Sequence, residues 1–302
     1  MSIEYALYIC IALLLCVYIV RIVSDDNKEG MGSKEGISKY FSDKYTELRN
    51  NEIYDTFYSS IYEKIFGDIA RIKFETDKTI EHTHINKGSK LLDIGPGPGF
   101  QLKVFQKHAG SVKGVDKSSA MVQYASKSLP QDMVIQGDAT NAMLFESHSF
   151  THITAFYFTI YFFQDKRQFL SNVYKWLQKG GYFVVHLVNR KMFDPIVPPA
   201  NPFILISPQK YAKERITDST VKFKSFDYTS NFSLDDTIDK ATFEETMKCK
   251  ENGHIRKHIY DLHAPKLNDI LLIAKEVGFQ VIKKLDMIDC EYEYQYLYIM
   301  QK

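Results

Sequence analysis

Short apolar runs alternate with amphipathic stretches between residues 90 and 188. Each apolar run has the length of a buried strand, and stretches of about ten residues with a helical pattern separate the runs. The predicted strands are residues 90–94, 112–115, 133–136, 150–157 and 182–188. Such alternation is typical of βαβ units and predicts a parallel sheet.

The last part of the chain extends this pattern. A helix is predicted over residues 266–277, where Gly278 ends it, and strand-like runs follow at residues 279–285 and 292–300. Two strands joined by a short turn are antiparallel, so this pair adds one antiparallel strand to the sheet. We therefore predict an α/β fold with a doubly wound, mostly parallel seven-stranded sheet that contains one antiparallel strand.

Residues 191–261 differ from the rest of the chain in their sequence pattern. Four prolines stiffen the beginning of this segment, and alternating apolar and polar positions follow at residues 221–229, 242–248 and 255–262. The pattern predicts a small antiparallel sheet inserted over the carboxyl edge of the main sheet, where a substrate lid belongs. A purely structural cap or a dimer contact is the alternative, and the oligomeric state stays open.

The beginning of the chain is strongly apolar. Residues 5–23 contain a single charge, Arg21, and have the length of a membrane-spanning helix of about 20 residues. A buried helix of a soluble protein is the alternative. Basic residues follow this segment but do not precede it, which predicts a single-pass membrane anchor with the body on the cytosolic side.

Composition narrows the possible functions. The 38 basic and 37 acidic residues give a net charge of +1, which argues against a nucleic-acid partner. Four cysteines without a C-x-x-C pair exclude a disulfide scaffold, and no His/Cys cluster has zinc spacing, so no metal is expected. The predicted organisation is a transmembrane anchor (1–24), a polar linker (25–38), a core (39–190), an inserted lid or substrate region (191–261) and the C-terminal part of the core (262–302).

A glycine-rich turn follows the first predicted strand of the core. In LLDIGPGPGF, a carboxylate, three glycines and a proline come to the carboxyl end of that strand: Asp93, Gly95, Pro96, Gly97 and Gly99. Glycines let the backbone approach a bound cofactor closely, and the next helix offers free N–H groups at its start. The dinucleotide fingerprint would need glycine where Phe100 stands. A turn that merely joins strand and helix is the alternative.

Two aspartates follow the next two predicted strands. Asp116 ends the second strand, about 20 residues after Gly95, where a carboxylate can accept hydrogen bonds from both ribose hydroxyls. Asp138 follows the third strand. Either aspartate alone could be an ordinary loop cap. Together, and in this order behind the glycine-rich turn, they favour a nucleoside-binding edge.

The spacing D-x-G-x-G-x-G resembles motif I of the class I S-adenosylmethionine (SAM) methyltransferases, and the resemblance covers roughly residues 40–302. It implies SAM as the cofactor. It also implies that Asp138 and the backbone N–H of Ala139 bind the adenine. Lys117 and Met121 after the second strand and Phe156 at the end of the fourth strand complete the predicted cofactor site.

A tyrosine-rich segment precedes the glycine-rich turn. Tyr54, Asp55 and Tyr58 resemble the Y-D-x-x-Y helix of small-molecule methyltransferases, including the amino-sugar N,N-dimethyltransferases. That resemblance implies that Tyr54 closes over the cofactor. The alternative is an amphipathic helix whose tyrosines pack on the sheet.

Methyl transfer from a sulfonium depends mainly on alignment and on exclusion of water, with a base where the acceptor is protonated. His186 and His263 are the candidate bases, and Tyr157 and Tyr161 are candidates to line the acceptor pocket. We predict SAM-dependent methyl transfer to a small molecule, with amines among the candidate acceptors. A protein methyltransferase and a methyltransferase-like binding module without turnover are the alternatives.

Overall fold

The computed structural model describes residues 37–200, 209 and 212–302. The chain divides into two compact units, residues 1–42 and residues 43–302. Of the first unit only residues 37–42 are described, with a 3-10 turn at Ile37–Tyr40. The predicted membrane anchor and most of the linker therefore lie outside the described residues. Within the described ranges, no helix is long and apolar enough to cross a membrane.

The second unit is built from strands and helices that alternate over most of its length. Its described helices are α1 (Thr56–Phe66), α2 (Ile69–Thr83), α3 (Phe100–His108), α4 (Ser119–Ala125), α5 (Lys166–Trp176) and α6 (Leu267–Val277). Its described strands are β1 (Tyr45–Arg49), β2 (Lys90–Ile94), β3 (Ser111–Asp116), β4 (Val134–Gln136), β5 (Phe150–Ala155), β6 (Leu177–Val188), β7 (Asp218–Lys222), β8 (Phe226–Asp235), β9 (Lys240–Cys249), β10 (Ile255–His263), β11 (Gln280–Met287) and β12 (Tyr292–Gln301).

The main sheet has seven strands in the order β11-β12-β6-β5-β2-β3-β4. Neighbours from β6 to β4 pair in parallel, whereas β12 is antiparallel to both β6 and β11. The predicted seven strands with one antiparallel member are confirmed. Strand order reverses between β2 and β5, and the chain leaves these neighbouring strands towards opposite sides of the sheet. Open α/β sheets bind their ligands at such a point.

Strand β6 shows why the sheet carries helices on both faces. Phe183 contacts Phe169 of α5 and Phe279, whereas its neighbour Val184 joins a buried cluster with Leu102 and Phe105 of α3. Successive side chains of a strand point to opposite faces. Helices therefore cover both faces, as the nearly continuous apolar runs of the parallel strands predict.

The inserted segment forms a second sheet together with β1, in the order β1-β10-β9-β8-β7. Strands β7 to β10 are antiparallel neighbours, as expected, but residues 221–229 are not one strand. A turn closed by the Phe223 N–H on the Phe226 carbonyl separates β7 from β8. Strand β1, which pairs in parallel with β10, was not predicted because YTELR is polar and largely exposed. We call this second sheet the lid sheet.

Side-chain caps fix the helices next to the cavity described below. Asp55 caps α1 by accepting a hydrogen bond from the Tyr58 N–H at 2.9 Å, and Asp68 caps α2 in the same way. Ser118 caps α4 by accepting a hydrogen bond from the Met121 N–H at 3.0 Å. Each cap satisfies a backbone donor that the first turn leaves free.

Gly99 caps α3 in a left-handed conformation, with φ of 82°. A Cβ atom at this position would lie 2.4 Å from Leu129 Cδ1. We expect Gly99→Ala to lower the free energy of unfolding by about 3 kcal/mol, from the left-handed backbone and the displaced leucine together. Denaturant titration followed by circular dichroism measures this loss.

Gly253 provides the matched control. Its φ is 72°, but a Cβ atom there would have no neighbour within 4 Å. Gly253→Ala should therefore cost only the backbone term, about 1 kcal/mol. Equal losses for the two variants would show that the contact with Leu129 contributes nothing.

Candidate active site

A cavity of about 660 Å³ lies at the carboxyl ends of β2, β3 and β5 and continues beneath the lid sheet. This volume is within the range of small-molecule sites. The cavity wall includes all but one of the residues predicted to bind the cofactor, namely Tyr54, Asp93, Gly95, Pro96, Gly97, Asp116, Lys117, Met121, Asp138, Ala139 and Phe156. The exception is Gly99, which caps the helix behind the turn.

The glycine-rich turn presents its backbone to the cavity. Gly97 has φ of 53°, and a Cβ atom there would have only Tyr62 Cε1 nearby, at 3.9 Å. The Gly97 N–H donates to Asp116 Oδ2 at 3.1 Å, and the Gly95 N–H donates to the Val115 carbonyl at 2.8 Å. The turn is thus tied to β3 while its inner surface stays open to a ligand.

Asp116 lies half-buried at the end of β3. Its carboxylate accepts hydrogen bonds from the N–H groups of Gly97 and Ser118, the latter at 2.9 Å. Burial raises the pKa of Asp116, although these two bonds oppose the rise. A carboxylate has about four acceptor positions, so two remain for hydroxyl donors of a ligand.

The other two aspartates differ sharply in their surroundings. Asp138 pairs with Lys117 at 2.8 Å and accepts from Thr140; partial burial opposes ionisation, but these partners lower its pKa. Asp93 is fully buried, and burial raises its pKa to about 8 despite a 2.8 Å hydrogen bond from Thr154. The cavity edge therefore holds carboxyl groups with separated titration ranges.

Tyr157 follows β5 and lines the cavity, as predicted. Its φ of 51° places a bulky residue in the left-handed region, which stores backbone strain that the surroundings must hold. The Arg71 guanidinium lies 4.1 Å from the centre of its ring and forms an ion pair with Glu75 at 3.2 Å. Stacking on a paired arginine fixes the ring at the cavity wall.

The structure does not bring His186 to the cavity. This side chain is fully buried, with Nε2 3.0 Å from Gln295 Oε1 and Nδ1 3.5 Å from Glu75 Oε1. A base must reach the proton that it removes. His186 therefore belongs to a buried polar network behind the cavity rather than to its wall.

His263 also lies off the cavity wall, at the end of β10. Its Nδ1 is 3.4 Å from Lys166 Nζ, and its carbonyl accepts from the same ammonium at 2.8 Å. Burial lowers the pKa of Lys166 to about 7 and also lowers that of His263. Tyr161 is buried as well, and its hydroxyl accepts from the Val188 N–H. Only Tyr157 among the proposed catalytic residues lines the cavity.

Two buried acidic residues, Glu75 and Glu245, were not among the site residues predicted from the sequence. Glu75 on α2 accepts from Arg71 and from Gln101 Nε2, the latter at 2.7 Å. Glu245 on β9 lies within the lid sheet with no exposed surface. The sequence does indicate that Glu245 is buried, because strand alternation places it on the same face as the apolar residues Ala241, Phe243, Met247 and Cys249.

Comparison with known proteins agrees with this geometry. Residues 92–185 match the family model described as a methyltransferase domain. A phosphoethanolamine N-methyltransferase from Zea mays is 29% identical over 131 residues, 41% of this chain and 26% of its own. A dTDP-3-amino-3,4,6-trideoxy-alpha-D-glucopyranose N,N-dimethyltransferase from Streptomyces venezuelae is 25% identical over 145 residues, 46% of this chain and 57% of its own. The chain thus spans about a quarter and about half of these relatives.

Solved structures agree over a longer stretch. A SAM-dependent methyltransferase from Clostridium acetobutylicum has a TM-score of 0.60 at 16% identity and covers 81% of this chain and 97% of its own. A SAM-bound amino pentose methyltransferase from Micromonospora echinaspora has a TM-score of 0.52 at 16% identity, covering 78% and 89%. At such identities the likeness shows the fold.

Residues 92–185 thus match a methyltransferase domain, and the chain shares its fold with solved SAM-dependent methyltransferases.

The ribose assignment of Asp116 is testable by substitution. Asp116→Asn keeps one oxygen but replaces the other with an N–H donor, which cannot accept from a hydroxyl. We expect the affinity for S-adenosylhomocysteine, measured by calorimetry, to fall by about 1–3 kcal/mol. Asp77→Asn on the exposed face of α2 is the control and should leave the affinity unchanged. Unchanged binding by Asp116→Asn would refute the assignment.

Proposed function

We propose that this protein transfers a methyl group from SAM to a small-molecule acceptor held in the lid half of the cavity. The observation that carries the proposal is the continuity of one cavity across both sheets. Its wall runs from Asp116 and the glycine-rich turn to Phe232, Phe243 and Tyr260 of the lid sheet. A cofactor and an acceptor can therefore meet inside one enclosure.

The residues present fit SAM. Asp116 has acceptor positions for ribose hydroxyls, Asp138 and Ala139 line the same cavity and are the residues we assign to the adenine, and the backbone at Gly97 leaves space for close approach. When bound, SAM supplies an electrophilic methyl group, and its transfer to an acceptor atom leaves S-adenosylhomocysteine while any displaced proton passes to solvent.

The chain's own contribution is alignment and exclusion of water. Aromatic rings dominate the wall between the two halves, where the Tyr54 ring contacts the rings of Tyr58 and Phe162. Water-excluding walls strengthen electrostatic interactions with the reacting atoms. No lining histidine stands among the described residues, so we infer a reaction that relies on positioning rather than on an imidazole base.

Relatives support nitrogen as the acceptor atom. The descriptions of the maize and Streptomyces venezuelae enzymes name N-methylation of phosphoethanolamine and N,N-dimethylation of an amino sugar. The lid sheet supplies part of the cavity wall, which favours a small amine over a protein side chain as the acceptor.

A methylation assay tests this proposal. The full-length protein is incubated with radiolabelled SAM and either a panel of small amines, including amino-sugar nucleotides, or a dialysed protein lysate. We expect labelled small-molecule product and no labelled protein. Label in the protein fraction would favour a protein methyltransferase, and SAM binding without any transfer would favour a binding module.

We also propose that residues 1–24 anchor the protein in a membrane with the body in the cytosol. The apolar run with its single charge and the basic residues that follow it support this. In a eukaryotic host the full-length chain should resist carbonate extraction, and the sequon at Asn231 should stay unmodified. An endoglycosidase-sensitive mass shift would reverse the topology, and extraction by carbonate would refute the anchor.

A further inference from the structure

Glu245 is an acidic residue buried in the lid sheet, and three tyrosine hydroxyls donate to it. Tyr58 and Tyr260 donate to Oε2 at 2.8 and 2.7 Å, and Tyr228 donates to Oε1 at 2.7 Å. An ionised carboxylate is a pure acceptor, and three donors on two oxygens match that form. We call Glu245 with these three tyrosines the tyrosine–glutamate cluster.

A chain of polar contacts leads away from the cluster towards α1. His258 Nδ1 lies 3.3 Å from Glu245 Oε2, and its Nε2 accepts from Arg256 Nε at 2.8 Å. Arg256 also donates to Asp55 at 2.6 Å. An imidazole that accepts at Nε2 carries its proton on Nδ1 and is neutral. Because Asp55 balances Arg256, the chain as a whole keeps one negative charge, on Glu245.

The cluster restricts what its tyrosines can offer a ligand. Burial, together with the charge of Glu245, holds the pKa of Tyr58 and of Tyr260 well above the usual value, so both hydroxyls stay protonated. Both hydroxyls donate their protons in hydrogen bonds to Glu245. Any hydrogen bond from a ligand in the cavity to Tyr58 or Tyr260 must therefore be one that the ligand donates.

The same two tyrosines belong to an aromatic wall. The rings of Tyr54 and Tyr260 lie 5.6–6.4 Å, centre to centre, from each other and from the rings of Tyr58 and Phe162, and all four residues line the cavity. Aromatic faces attract cations through their quadrupoles, more strongly where water is excluded.

Positive charge that could hold an anion is not available on this wall. Among the described lining residues, the cationic side chains are Arg71 and Lys117, and each is paired with a carboxylate, Glu75 and Asp138. A phosphate or carboxylate at the lid end of the cavity would therefore face a buried negative charge and π faces. An ammonium group there would be stabilised by both.

We propose that Tyr58 and Tyr260, backed by Glu245, form the subsite for the amine of the acceptor and select cationic or N–H-donating groups over neutral and anionic ones. This rests on the proposed methyl transfer. A neutral amine gains a positive charge as its nitrogen bonds to carbon, while the electron pair of the broken carbon–sulfur bond stays on sulfur. The subsite stabilises that new charge, and the product's surplus proton leaves to solvent.

Isosteric probes test the selection directly. Choline, its neutral all-carbon isostere neohexyl alcohol and the tert-butylacetate anion have closely similar shapes but different charges. With the full-length protein saturated with S-adenosylhomocysteine, ligand-observed NMR should give about tenfold tighter binding of choline than of the alcohol, and no binding of the anion. Equal binding of choline and the alcohol would overturn the proposal.

Variants locate the source of the preference. Glu245→Gln keeps the shape but removes the charge, so the preference for choline should fall to within about twofold. Tyr228→Phe is the matched control: it removes the same kind of bond to Glu245, yet Tyr228 does not line the cavity. This variant should keep the preference. A full preference in Glu245→Gln would contradict the role of Glu245.

Binding of S-adenosylhomocysteine separates this inference from the proposed function. Every variant should bind it like the original protein, since the cluster lies outside the predicted cofactor positions. Loss of that binding in the original protein would refute the methyltransferase proposal itself. If Glu245→Gln fails to fold, the ranking of the three probes on the original protein still decides the charge selection.

Discussion

The reversal of strand order between β2 and β5 is the constraint on which the site depends. Chains leaving two neighbouring parallel strands towards opposite sides open a crevice that no helix fills. Asp93 and Tyr157 border this crevice, because Asp93 lies in β2 and Tyr157 lies just beyond β5. The glycine-rich turn leaves the crevice open to a ligand, because Gly97 adopts a left-handed backbone conformation that would be strained for other residues.

The features that depend on neighbouring residues alone could be predicted from the sequence. The strands of the main sheet and the aspartates at strand ends depend on periodicity and on short-range spacing, and the structure contains both. Strand β1 escaped prediction because a polar pentapeptide becomes a strand only by pairing with β10, some 200 residues later. The position of His186 away from the cavity wall has a related cause: its partners, Glu75 and Gln295, come from elements distant in the sequence, and no local pattern indicates these contacts.

Two buried acidic networks flank the cavity and differ in composition. Around Glu75 the partners are an arginine, a glutamine and a histidine, so the charge is balanced within the network. Around Glu245 the direct partners are hydroxyls and a neutral imidazole, so the charge is spread over hydrogen bonds and not cancelled. Burial of a charge is expensive unless the charge is paired or hydrogen-bonded, and both carboxylates receive hydrogen bonds from several elements. The two ends of the cavity consequently have different electrostatic character.

The pairing of β1 with β10 joins the lid sheet to the chain that leads into α1. The Asp261 N–H, in β10, donates to Asn50, and Arg256 reaches Asp55, so the same stretch is held at several points. A few residues on, this stretch carries tyrosines that border the nucleoside edge. The lid sheet cannot swing outward without carrying them with it. Opening of the lid sheet would therefore also displace the tyrosines at the nucleoside end of the cavity, so that in the proposed methyl transfer one motion would serve both nucleoside exchange and acceptor entry.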